Sequence, residues 1–553
     1  MKIKKYIKTI FTSTLITGIA ALAISSCSKQ KLEPVETYPD SPKPLVKFLD
    51  GKPLPAQGTV GSVVTFKITG LQGKDTSQFK FFINQTPALV VSVDSTSIKV
   101  IVPPNASTGG SSVLINGEYY FGPSFIVKGN VAIASDFDPS VCNSNNIING
   151  IFLNDNSRYL VYGSFTDYGA KASVNNTITG LAELNSSCVY QTTNASSGIG
   201  TISVGKLGLN GYLSDVLQLP SSDYIIGGLF STYNSFQNIR NITQIGSDGS
   251  LQTMVVNVVN PDPANFPDNG VDTVPVFNGG VNSNIVKQFY SSSTGAITTI
   301  SNCTNYSSTF YERSTKGGPY LDIAKMHQVV RMNADGSLDS TFNFNMATKS
   351  SYDAGNGYIY DAIQLPDESI ILVGSFTSFD GISVNHIVRI DATTGLIDPT
   401  FNTAGTGTDG DIKVATYNSN TGSILLTGNF KNYNGQPANG VVMIDTDGNI
   451  DPSFKFRNTE SGIANYAGQM DDGKIIVSGT FNKYDGIVRP GLLILNQDGS
   501  LASGYNNTGL FRGAIKGFAE LTYNGHQQVI LVGSFDRFDA QTVKNIVKFQ
   551  LNN

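Results

Sequence analysis

Ile371-Leu-Val-Gly-Ser-Phe-Thr-Ser-Phe-Asp-Gly381 is an apolar, β-prone run that ends in Gly-Ser-Phe, meets a second aromatic three residues later and closes on a turn. The arrangement recurs as Gly428-Asn-Phe430-Lys-Asn-Tyr433, Gly479-Thr-Phe481-Asn-Lys-Tyr484 and Gly533-Ser-Phe535-Asp-Arg-Phe538. Looser copies read Gly163-Ser-Phe165-Thr-Asp-Tyr168 and Gly228-Leu-Phe230-Ser-Thr-Tyr233. A degenerate one, Ile300-Ser-Asn-Cys303-Thr-Asn-Tyr306, puts a cysteine in the first aromatic slot. The seven anchors at 165, 230, 303, 376, 430, 481 and 535 are separated by 65, 73, 73, 54, 51 and 54 residues. A repeat of this size, built of strands and turns, predicts a radial or stacked β architecture.

Each well-formed repeat offers four strand-like pieces. In the fourth these are Ile359–Leu365, Ser369–Phe376, His386–Ile390 and Leu396–Phe401. Compact turns join them, among them Asn333-Ala-Asp-Gly-Ser and Asn496-Gln-Asp-Gly-Ser, where Asp-Gly suits a tight hairpin. Four antiparallel strands per repeat make a propeller blade, with the recurring Phe packed between neighbours. Ser135-Asp-Phe-Asp-Pro-Ser140 resembles the fourth piece but precedes the first repeat, and the last repeat lacks that piece. The stretch from Asp136 to Ser140 is therefore expected to complete the last blade, closing a seven-bladed ring and removing two open edges.

Composition agrees with an all-β chain. Charged residues are 14% of 553, while Gly (57), Tyr (24) and Phe (31) are plentiful. Trp is absent, which excludes propellers marked by Trp-Asp dipeptides. The formal charge of −5 falls to about −9 once the leader lysines Lys2, Lys4, Lys5 and Lys8 are removed. Such a surface repels phosphate backbones, so nucleic acid is not an expected partner.

The first eight residues form a basic stretch, followed by a short apolar run over 9–24, the pattern of a secretory signal. Ile24-Ser-Ser-Cys27 at its end resembles a bacterial lipobox, which implies a signal over 1–26 and acylation of Cys27. Ser28 follows the cysteine, and by resemblance to Gram-negative lipoproteins this implies the outer membrane, with the surface face favoured. Residues 27–42 read as a polar tether. Residues 43–128 alternate short strands with Gly, Pro and Ser turns, as a sandwich does. Gly58-Thr-Val, Ala88-Leu-Val-Val-Ser and Val100-Ile-Val-Pro-Pro104 resemble an IPT/TIG immunoglobulin-like domain, a frequent spacer. Tyr119, Tyr120 and Phe121 are expected in its core or at a domain interface. Residues 129–553 are expected to form the propeller; their Asp-Gly turns, Ile397-Asp-Pro-Thr-Phe401 and Gly-Ser-Phe strand ends resemble the delta-60 repeat family, closely over 330–550, less so over 145–250 and weakly over 251–330. The combination looks like bacterial surface lipoproteins of unassigned function, so the resemblance implies location and fold but no reaction.

Sites for chemistry are sparse. Three histidines and no Cys-x-x-Cys or His-x-x-His spacing give poor support for a transition metal, and no cofactor motif is found. Asp335-Gly-Ser-Leu-Asp339 is too short for a calcium loop and reads as a hairpin turn. A glycosidase pair is defined by distance and cannot be read from one dimension. Cys142 and Cys188 follow the fourth-piece position of consecutive blades and could form a disulfide. Cys303 is expected as a buried free thiol.

Two insertions stand out, at 253–283 and 307–321. Alternation of short and long connections puts both on one face beside the third blade. They carry Phe266, Phe277, Phe310, Tyr311, Glu312, Arg313 and Tyr320. Phe266, Tyr311, Arg313 and Tyr320 are the expected ligand-binding residues, and mutual packing of the insertions is the alternative. The expected function is glycan or protein binding at the envelope, with acyl-chain insertion into the membrane. A carbohydrate-active hydrolase or lyase and a purely structural envelope component remain open.

Overall fold

Val63–Thr69 buries Val64, Phe66 and Ile68 and leaves the alternate residues outside, the period-two signature of a strand with one face on a core. A computed structural model describes residues 45–155, 158–173, 177–191, 208–403 and 405–552 of the chain. The chain divides into two units, 1–47 and 48–553. Cys27 and the whole signal segment lie outside the described residues.

From residue 48 onward the first layer is an immunoglobulin-like sandwich. Val63–Thr69 pairs with Ser97–Ile101, which pairs with Thr86–Val93. Phe79–Ile83, Gly109–Ile115 and Glu118–Lys128 form the facing ladder. Phe66 and Phe81 meet in the core with centroids 4.9 Å apart. The expectation for Tyr119 and Phe121 is overturned: both are exposed, stacked on each other at 6.3 Å, with Tyr119 6.0 Å from Phe82. A bulge between Phe121 and Ser124 reverses the alternation of Glu118–Lys128, so Tyr119 and Phe121 face outward while Phe125 and Val127 face the core.

Small antiparallel sheets follow, consistent with a propeller-like region. Their first strands are Ile148–Asp155, Tyr212–Gln218, Ile285–Tyr290, Ile359–Gln364, Ile412–Asn418, Ala464–Gln469 and Phe511–Tyr523. Each pairs with a second strand, which pairs with a third, as in Ile359–Gln364, Ile370–Gly374 and Ile387–Ile390. Each first strand touches that of the next sheet, and Phe511–Tyr523 touches Ile148–Asp155.

The expected fourth strand is cut back. In the fourth sheet it is a single bridge, Ile390 to Ile397, and the fifth and sixth have Ile444 to Ile450 and Leu495 to Leu501. The cause is the Asp-Pro-Thr sequence itself. Asp398 Oδ1 accepts from both the backbone N–H and the hydroxyl of Thr400, at 2.8 and 2.7 Å, turning the chain away from the ladder. Arg389 then reaches back, its Nε 2.8 Å from Asp398 Oδ2 and its guanidinium over the Phe401 ring at 5.3 Å. Arg331, Asp339, Thr341 and Phe342 repeat this in the third sheet.

The seventh sheet is completed differently from the expectation. Val131–Ile133, upstream of Asp136–Ser140, pairs antiparallel with Ile546–Leu551. Asp136 instead accepts from Lys548 Nζ at 2.6 Å, the counterpart of the Arg389–Asp398 tie, and Asp138 forms the turn with Ser140. Lys548 is fully buried. The turn chemistry of Asp-Pro-Ser takes these residues off the ladder, as it does in the other sheets.

Three features account for the repeat motif. The recurring Phe is buried in every copy, and Cys303 fills the same slot as a buried free thiol. The second aromatic, where it is Tyr, donates its hydroxyl to a turn carbonyl: Tyr433 to Gly448 at 2.8 Å, Tyr484 to Gly499 at 2.6 Å and Tyr306 to Gly336 at 2.8 Å. The glycine sits where a first strand bulges against it. A Cβ on Gly374 would collide with the Tyr358 carbonyl oxygen, and one on Gly428 with that of Asp411. Between the third and fourth sheets, Ser291, Ser292 and Ser293 cradle the Glu368 carboxylate, with Ser292 N–H and Oγ at 2.7 and 2.6 Å. These hydrogen bonds hold its pKa down at about 2.

The immunoglobulin-like layer is docked on the sixth and seventh sheets. Asn507 donates from Nδ2 to the carbonyls of Val127 and Val131, at 3.2 and 2.9 Å, and accepts from Val131 N–H at 3.2 Å. Thr108 N–H donates to Asn507 O at 2.9 Å.

Candidate functional site

The two insertions build one wall together. Thr253–Asn257 and Val271–Pro275 form a hairpin, and Asn305–Thr309 pairs with both Leu321–Lys325 and Gly279–Val281. The insertions touch through the Val259–Thr315 bridge and through Gly317 N–H, which donates to Asp272 Oδ2 at 3.1 Å. Between this wall and the 235–242 connection of the second sheet lies a cleft of about 310 Å³. Phe277 and Ile239 give it a buried apolar base.

Polar groups converge there. Asn278 and Thr309 bond reciprocally, Asn278 Nδ2 to Thr309 O at 2.8 Å and Thr309 N–H to Asn278 Oδ1 at 2.9 Å. Arg240 donates from Nη2 to Thr309 Oγ1 at 2.9 Å. Burial lowers the Arg240 pKa, while the neighbouring tyrosines Tyr311 and Tyr306 raise it. Burial pushes the Tyr311 phenol up to about 12, so it is a protonated donor at neutral pH.

Of the four residues expected from sequence, Tyr311 alone lines the cleft. Arg313 lies outside it, 5.0 Å from the Tyr320 centroid and 5.9 Å from that of Phe310, an exposed cation–π stack. Phe266 is exposed on the 258–270 loop, away from the lining. Their aromatic character drew attention, but the turn at Tyr311–Arg313 directs successive side chains to different sides. Asn278 and Thr309 lie within the two insertions but were passed over for the aromatics beside them, and Arg240 was missed because it belongs to a connection of the second sheet that only packing brings there.

A second polar group lies among the first strands. Each carries a register shift, between Leu213 and Asp215, Ile285 and Lys287, Ile359 and Asp361, and Ala464 and Tyr466 among others. Asp215 accepts from Tyr162 Oη at 3.2 Å and Gln288 N–H at 2.7 Å, with Lys287 Nζ 3.7 Å away. Asp361 accepts from Ala415 N–H at 3.1 Å. Burial raises the pKa of both carboxylates; it opposes the Lys287 ammonium, which Tyr162, Asp215 and Asp361 nevertheless hold charged. The Gln288 side-chain amide beside this cluster is buried without a hydrogen-bond partner.

Cys142 and Cys188 are both buried, and both are free thiols where a disulfide was expected. Cys142 Sγ is engaged with Ser187 O at 3.1 Å, and burial raises both thiol pKa values, Cys142 to about 11. Among the described residues no group of three or more His, Cys, Asp or Glu is placed to hold a metal. No helix among them is long and apolar enough to cross a membrane.

Comparison with known families gives two matches. Residues 53–127 match the IPT/TIG domain. Residues 328–342, 365–401, 420–454 and 471–502 match a β-propeller domain of unknown function, DUF5122. No curated protein matches. Among solved structures, the WD40 β-propeller domain of Doa1 is similar at 10% identity, with a TM-score of 0.39, over 76% of this chain and 97% of that one. A structural-genomics protein of unknown function from Bacteroides thetaiotaomicron VPI-5482 is 12% identical, with a TM-score of 0.24, over 92% of this chain and 99% of that one.

Proposed function

We propose that this chain is a lipid-anchored cell-envelope protein that binds a glycan in the cleft between its second and third sheets. The carrying observation is the cleft itself: an apolar base, a protonated phenol and convergent amide and guanidinium donors, about 310 Å³ in volume. Such a mixture of a ring and fixed polar groups suits a sugar, whose faces are apolar and whose rim is hydroxyl. In this reading acylated Cys27 inserts in the outer membrane, facing the surface, and the immunoglobulin-like domain is the spacer. The seven sheets form a closed seven-bladed propeller. Closure is supported by the succession of first-strand contacts that returns from Phe511–Tyr523 to Ile148–Asp155. It is also supported by Val131–Ile133 filling the fourth place beside Ile546–Leu551.

A polysaccharide array followed by product analysis tests the reading. A hit should be retained uncleaved and should weaken in Tyr311→Ala without loss of melting temperature. Cleaved product would favour a carbohydrate-active enzyme, and no hit would remove the glycan reading. A protein partner is the second reading, favoured by the exposed Tyr119–Phe121 stack on the spacer, with half-buried Phe82 beside it.

A further inference from the structure

We infer that the cleft selects a saccharide bearing a carboxylate, a uronate residue, and that Arg240 is the group that receives it. This rests on the glycan reading and narrows it to a class of sugar. Other arginines are held in one of two ways: Arg489 and Arg537 donate to backbone carbonyls, and a second set is paired with carboxylates. Arg331 is tied to Asp339 at 2.6 Å, Arg389 to Asp398 at 2.7 Å and Arg512 to Asp536 at 2.7 Å. Among the described residues, Arg240 has no carboxylate partner. Its one side-chain bond goes from Nη2 to the neutral Thr309 hydroxyl, which leaves most of its donors free at the cleft.

A half-buried guanidinium without a counter-charge costs stability that the fold would recover by placing an aspartate beside it. The two repeat arginines Arg331 and Arg389 have that solution. A planar fork with free donors matches a carboxylate in two parallel hydrogen bonds, which neither an ammonium nor a hydroxyl reproduces. The chain is acidic overall, so an anion is not drawn to it by net charge and needs this local cation. A phosphoryl group is the poorer match. It carries more charge, and the further cations of the 307–321 insertion do not join Arg240: Arg313 lies outside the cleft against Tyr320, and Lys316 is exposed and turned to Asp268 O at 3.5 Å. Gln237 supplies an amide for ring hydroxyls, and Tyr311 supplies a protonated phenol beside it. Burial, which weakens the charged form of Arg240, also strengthens any ion pair made with it.

The test is calorimetric titration of the full chain with oligogalacturonate, oligomannuronate and oligoglucuronate, each beside its carboxyl-reduced counterpart. At least one acid oligomer should bind, and its reduced form at least tenfold more weakly. In Arg240→Gln the acid form should fall to the level of the reduced one, and Arg240→Lys should recover part of the difference. The comparison of acid with reduced sugar on the unaltered protein stands even if Arg240→Gln folds poorly. If neutral sugars bind as well as acidic ones and Tyr311→Ala abolishes both, the glycan site stands and the uronate inference is overturned. If no acidic or neutral sugar binds, both fall.

Discussion

Lys548→Met should destabilise the chain by about 3–5 kcal/mol, and adding Asp136→Leu should restore most of that loss. Lys548 is fully buried, and its ammonium is held by Asp136 at 2.6 Å and Ser186 O at 2.7 Å. Replacing the lysine with an apolar residue of similar length leaves the Asp136 carboxylate with Ser187 Oγ alone, at 3.0 Å. Breaking one side of a buried ion pair costs about 3–5 kcal/mol, because the remaining charge is desolvated without compensation. Removing both charges is commonly neutral, so the double variant separates the cost of an orphan charge from the worth of the pair. The partners are 412 residues apart in sequence. Coupling between them therefore requires that the segment before the first sheet is docked on the last. Urea unfolding followed by circular dichroism and tyrosine fluorescence reads the cycle, since the chain has no Trp. A coupling energy below about 0.5 kcal/mol, the limit of additivity for independent sites, would refute the docking and with it the argument for ring closure.

Glu368 gives a pH signature. Its folded pKa of about 2 lies below that of an unfolded glutamate, so its contribution is full above the unfolded value and fades as pH falls toward 2. Glu368→Gln should flatten acid unfolding between pH 5 and 2; parallel curves for the two proteins would refute the serine cradle. Gly374→Ala should cost about 1–3 kcal/mol through collision with the Tyr358 carbonyl, read as a lowered urea midpoint. Intact mass of membrane-extracted protein should exceed that of the chain from Cys27 by a diacylglyceryl-type addition, and Cys27→Ala should abolish membrane retention. Retention of that variant would remove the anchor.

What the sequence made legible was periodicity. Phe376, Phe430 and Phe481 recur because each sheet needs the same plug, and every copy of that plug is buried. The fourth strand was over-read: Ile397 alternates like a strand residue, but Asp398 and Thr400 bond locally and win over the ladder. For the same reason Asp136–Ser140 was mistaken for the completing strand, which is Val131–Ile133 three residues earlier. The insertions form one wall of the cleft, and of the four residues singled out only Tyr311 lines it. Arg240 was invisible because its significance is the carboxylate it lacks, and a missing neighbour leaves no trace in a linear pattern. The Tyr433 and Tyr484 hydroxyls were similarly hidden, since an aromatic slot does not disclose a hydrogen bond to a turn fifteen residues on.

The Asn507 side chain grips both Val127 and Val131, one at the end of the immunoglobulin-like layer and the other at the start of the strand that completes the seventh sheet. A pull on the chain upstream of the ring thus enters through this amide and continues along Val131–Ile133. That strand lies antiparallel to Ile546–Leu551, so tension along it loads the ladder in shear, all its rungs together, rather than peeling them one at a time. The Lys548–Asp136 pair stands just beyond as a second stop. Under the proposed anchor at Cys27, tension on the chain would therefore reach the seventh sheet through Asn507 and this strand.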